Sequence, residues 1–79
     1  MNQAELQNRL RTILDVETAE PVDWARVQEL SADLLRQILQ SPEIEPPHFV
    51  YHYLADADIR ERDLEYADIQ RAELREIVG

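Results

Sequence analysis

His48 and His52 stand four residues apart, and Asp56 extends the row by another four. On a continuous helix the three side chains share one face. Two imidazoles and a carboxylate form an acceptable set for a divalent metal. A metal-binding helper using His48, His52 and Asp56 is therefore the alternative functional reading. Two features oppose it. His48 is followed by Phe49 and not by Glu, so the HExxH hydrolase pattern is missing. The row also lies opposite Phe49, Val50 and Tyr53, which turns it toward water and away from the enclosing partners that hold a metal tightly. A solvated polar face accounts for the same residues, and no cofactor is expected.

The second group is the acid cluster from Asp56 to Asp68. Asp56-Ala57-Asp58 opens like a calcium loop, but Arg60 and Glu61 occupy positions five and six, where a ligand and a Gly turn are required. Ala67 stands where the closing Glu belongs. Paired carboxylates for glycoside chemistry would need a cleft and a polarised environment. Helix capping and solvation explain most of these acids. The remaining use is an acidic docking surface for a basic partner.

Nucleophiles are scarce. There is no cysteine and no lysine, which removes thiolate chemistry, disulfides, zinc–thiolate sites and Schiff bases. The only serines are Ser31, on a packing face, and Ser41, before a proline. Neither sits on a glycine elbow. The single glycine is Gly79, so no phosphate-binding Gly loop exists. The chain is read as a non-enzyme. Arginine-only basic residues with abundant Ala, Leu, Asp and Glu suggest a GC-rich bacterial source.

The elements that carry these residues are all helical, because strong helix formers dominate and no strand-like run occurs. Asn2 and Glu5 have capping-box spacing. Leu6, Leu10, Ile13 and Leu14 then mark a helix over about residues 3–16. Glu17 to Glu20 read as a polar link ending at Pro21. Asp23 caps the second helix, with Val22 and Val27 as its staple. Its wide apolar arc includes Trp24, Val27, Leu30, Leu34, Leu35, Ile38 and Leu39, with the small Ser31 near the centre. Residues 41–47 form a stiff connector with three prolines, on which Ile44 tucks inward, and Pro46 or Pro47 opens helix three. Phe49, Val50, Tyr53, Leu54 and Ala57 share a face. Ile59 falls nearly opposite Val50, so a break is expected near Asp58, with Asp58 or Asp63 as the new cap. Leu64, Tyr66, Ala67, Gln70, Leu74, Ile77 and Val78 line the last helix, closed by Gly79. The fold class is all-α: one domain over 1–79, a bundle of four helices, or three with the last broken near Asp58. Trp24, Phe49 and Tyr53 are core candidates, whereas Tyr51 and Ile69 fall off the apolar faces.

Charge sets the expected partner. Eight Arg against 17 acids give −9, a poor start for binding a polyanion, so direct nucleic-acid binding is not expected. Residues 1–40 carry four Arg against seven acids and residues 41–79 four against ten, so the excess sits in the second half. No apolar run spans a bilayer and Met1–Glu5 do not resemble a signal peptide, so a cytoplasmic protein without membrane contact is expected. At 9.3 kDa the folded chain should expose about 5,000 Å². The leading functional reading is a small acidic protein–protein interaction module. It docks on a basic partner through Tyr51, Asp58, Asp63, Glu65 and Ile69, or self-associates as a homodimer that covers leftover apolar area. A further alternative is a nucleic-acid mimic that occupies a basic DNA- or RNA-binding protein.

Overall fold

Asn2 starts the first helix as its spacing predicts: Oδ1 accepts from the Glu5 amide at 2.8 Å. In the computed structural model, which describes Met1–Gly79, helix α1 runs Gln3–Glu17, α2 Trp24–Leu39, α3 His48–Ala55, α4 Ala57–Arg62 and α5 Leu64–Val78. Helix accounts for 76% of the chain and no strand forms, so the observed class is the all-α bundle expected from composition. Four of the helices have seven residues or more and build the frame. No helix is long and apolar enough to cross a membrane.

The frame follows from which helices touch. α2 packs on α1, α3 and α4, and α5 packs on the same three, but α2 and α5 do not meet. α1 and α3 are likewise apart. α1 thus faces two neighbours and α2 and α5 three each, and the diagonals are filled by side chains. Leu6, Leu10 and Ile13 from α1, Val27, Leu34 and Ile38 from α2, Val50, Tyr53 and Leu54 from α3, and Leu74 and Val78 from α5 form one buried cluster. The accessible surface is 4923 Å², close to the scaling value for this mass.

Local signals explain the boundaries. Asp23 Oδ1 accepts from the Arg26 amide at 3.0 Å and starts α2. Ser31 is buried on α2 and its hydroxyl has no hydrogen-bond partner, so its contribution is its small size. Ile44 is buried from the connector, as its isolation among prolines and acids suggested. Pro47 is the residue before α3 and not its first helical residue. Gly79, with φ +79°, closes α5 by donating its amide to the Arg75 carbonyl. That is a left-handed conformation that glycine adopts without a Cβ penalty.

Three expectations need correction. The break near Asp58 is two breaks, at Asp56 and Asp63, with the six-residue α4 between them. Asp58 caps nothing: it lies in the first turn of α4 and pairs with Arg62 at 3.4 Å, whereas Asp63 caps α5 through the Tyr66 amide at 3.1 Å. Glu17 is not part of a polar link. It ends α1 and is 1% exposed. Among the core aromatics, Tyr53 is fully buried, but Trp24 and Phe49 are half-buried and lean on the core edge.

Candidate interaction surface

The buried charge at Glu17 has a buried answer in Arg60, whose side chain is also 0% exposed. Arg60 Nε donates to Glu17 Oε2 at 3.0 Å and Oε1 at 3.2 Å, and Nη2 donates to Oε1 at 3.0 Å. Nη1 turns the other way, to the Tyr53 carbonyl and to Gln70 Oε1. The guanidinium carbon lies 3.6 Å from the centre of the Tyr53 ring, a cation–π contact. Tyr53 Oη donates to Glu17 Oε1 at 2.9 Å. Arg71 Nη1 reaches the second carboxylate oxygen at 3.2 Å.

The network continues through Gln70. Its Nε2 donates to Asp56 Oδ2 at 3.1 Å and to Tyr66 Oη at 3.0 Å, and Tyr66 Oη donates to the same Asp56 oxygen at 2.7 Å. Glu17 and Asp56 balance Arg60 and Arg71, so four helices share a polar assembly with no net charge. Nearly every donor and acceptor has a partner, which is the condition for burying ions without a large desolvation penalty. Burial pushes the Tyr53 hydroxyl well above the usual tyrosine range; Arg60 opposes the shift and Glu17 adds to it. The hydrogen bond to Asp56 raises Tyr66, with burial second.

The centre of this assembly, Glu17, Tyr53 and Arg60, is inaccessible. Glu17 and Arg60 have no exposed side-chain area, and solvent is touched only at the edges, by Arg71 at 14% and by half-buried Asp56 and Tyr66. Arg71 also pairs with the exposed Asp68 at 3.0 Å. The geometry therefore fixes α1, α3, α4 and α5 relative to each other.

On that surface the large exposed apolar residues are Leu39 at 70%, Ile59 at 40%, Leu64 at 68% and Ile69 at 64%. Three of them fall between Ile59 and Ile69, inside the acid-rich stretch, where they alternate with exposed Asp58, Glu61, Asp63, Glu65 and Asp68. Not all of this acid is free. Asp58 pairs with Arg62, Glu61 accepts from Gln28 at 2.9 Å, and Asp63 caps α5. Leu64, which its helical spacing places on the apolar side of the last helix, is instead exposed at the first turn of α5, and Ile59, opposite Val50 in helical phase, is exposed as well. Tyr51, read as exposed, is half-buried and packs against the core. The candidate residues divide into two places: Tyr51 and Asp58 on the α3–α4 side, and Glu65 and Ile69 on α5, with Asp63 at the joint.

The histidines remain together and Asp56 leaves them. His48 and His52 are exposed, with ring centres 4.8 Å apart in edge-to-face contact. The helix ends at Ala55, and Asp56 turns its carboxylate to Tyr66 and Gln70. No three His, Asp or Glu side chains gather in a metal-holding group. No protein-family model, curated protein or solved structure matches this chain.

Proposed function

We propose that this chain is a small, acidic, non-enzymatic interaction module that recognises a protein with a basic surface. The observation that carries the reading is the coincidence of exposed Ile59, Leu64 and Ile69 with the acid excess of α4 and α5. Apolar anchors within a charged rim are the usual composition of a specific protein interface. The rigid polar assembly beneath holds α4 and α5 at a defined angle, so the contact residues are positioned before the partner arrives, which lowers the ordering cost of binding. The reading includes a cytoplasmic setting in a bacterial cell. Its net charge favours a basic partner over a second copy.

The test separates charge from capping. Asp63 holds the start of α5, so reversing its charge would confound binding with helix stability. Glu65→Arg with Glu61→Arg removes acid without touching a cap. With the partner recovered from the native source, this double variant should associate about tenfold more slowly at low salt, and its rate should depend less on ionic strength. Unchanged association would sink the acidic-surface reading. Replacing His48 and His52 with Gln should leave the same binding intact.

A further inference from the structure

We propose that the cleft between the α1–α2 link and α5 binds a small zwitterion with an apolar body, the chemistry of an apolar α-amino acid; this goes beyond the interaction-module reading and does not depend on it. The cleft has a volume of about 340 Å³, within the range of small-molecule sites. Ala19 and Val22 of the link, Trp24 at the start of α2 and Leu64 at the start of α5 supply its apolar walls. On α5 the lining residues Leu64, Asp68, Arg71 and Arg75 follow the i, i+4, i+7, i+11 spacing of one helix face. Arg71 spans the two sides. It donates to Glu17 at 3.2 Å and to Asp68 at 3.0 Å, so the end of α1 is tied to α5 and the walls stand in place before a ligand arrives.

Charge selects the ligand. Glu17 and Asp68 are answered by Arg60 and Arg71, which leaves Glu20 and Arg75 as the uncompensated charges of the cleft. Both are exposed, and neither side chain forms a hydrogen bond or an ion pair within the chain. They line one cleft with opposite sign and do not close on each other. A ligand carrying both an ammonium and a carboxylate answers both. A simple anion would leave Glu20 unpaired and meet a chain of −9, and a simple cation would leave Arg75 unpaired. A zwitterion has no net charge, so the field of the chain does not repel it. Its apolar body would lie against half-buried Trp24 and against Leu64, which is 68% exposed in the free protein. Arg9 is the other arginine without a side-chain partner, but its pocket holds only about 90 Å³, and the acid there, Asp33, is already held by Arg36 and Gln37.

Trp24 is the single tryptophan, so its fluorescence reports occupancy of the cleft. The full chain is titrated with L-phenylalanine, with phenethylamine, which lacks the carboxylate, and with 3-phenylpropionate, which lacks the ammonium. L-Phenylalanine should give a saturable change with a Kd on the order of 1 mM, and should bind about tenfold more tightly than either one-charge analogue. Arg75→Gln should abolish its advantage over phenethylamine and keep that over 3-phenylpropionate. Glu20→Gln should do the reverse. Both positions are exposed, and each variant is checked for an unchanged helical spectrum. Three equal affinities, or tighter binding of either analogue, would overturn the proposal, because the two charges would then not be read together. A preference for L-phenylalanine that survives in both variants would also overturn it, by taking Glu20 and Arg75 out of the site. So would the absence of any saturable change up to about 20 mM ligand.

Discussion

Arg60 has no contact with solvent, yet its charge is fully compensated, and that balance makes it a sensitive residue. Removing one partner of a buried ion pair leaves the other desolvated and alone. Arg60→Ala should therefore cost on the order of 3–5 kcal/mol, a large share of the roughly 4–12 kcal/mol expected for a chain this short. Urea denaturation measures it. The double replacement Glu17→Leu with Arg60→Met should cost less than Arg60→Ala, because no isolated charge remains and Arg71 keeps Asp68. A double variant as unstable as the sum of its parts would mean that the ions contribute independently. Tyr53 adds a pH signature. Burial raises its hydroxyl above the ordinary value of 10.0, so above about pH 10 the unfolded chain releases a proton that the folded chain retains. Its stabilising contribution is complete below that pH and is lost as pH rises beyond it. Melting temperature should fall from about pH 10 upward, and Tyr53→Phe should make that fall shallower. An equal slope in both proteins would assign the alkaline loss to other groups.

At the level of the elements, caps and apolar period made α1 and α2 readable almost to the residue, because Asn2 and Asp23 do locally what their spacing suggests. The third quarter of the chain was harder. A six-residue helix is too short to display a period, so Ile59 revealed that the phase slips but not that the chain bends twice. Asp63 was legible as a cap, and its loss should be measurable. Asp63→Ala should destabilise the protein by about 1 kcal/mol and accelerate amide exchange across the first turn of α5, while α2 stays protected. Exchange unchanged at Tyr66 and Ala67 would mean that packing alone defines this helix start. The buried charges were hidden by residue type and visible by position. Leu6, Leu10 and Ile13 step on to Glu17 with unbroken helical spacing, and Val50, Tyr53 and Ala57 step on to Arg60. Acid and arginine at equivalent points of two core rows are a signal for a buried pair, but nothing short of the folded arrangement shows that α1 and α4 face one another.

Across the whole molecule the decisive quantity is the charge of −9. Exposed ion pairs such as Arg26–Glu29, Arg36–Asp33 and Arg62–Asp58 join side chains that are 46–75% exposed, and pairs of this kind contribute little. The buried Glu17–Arg60 contact is shielded from counterions by burial. Salt therefore acts mainly on the uncompensated acids, whose mutual repulsion favours expansion of the chain. Raising ionic strength from about 0.01 M to about 0.15 M shortens the screening length from about 30 Å to about 8 Å, below the 17 Å short axis of the protein. Melting temperature should rise over this range. A fall would show that surface pairs outweigh repulsion. The same field that strains the folded chain would attract the proposed basic partner, so association should slow over the same interval in which the fold becomes more stable. Opposite salt responses of stability and association are what a net acidic docking surface requires. If both moved in the same direction, the carboxylates that repel one another would not be the ones that meet the partner.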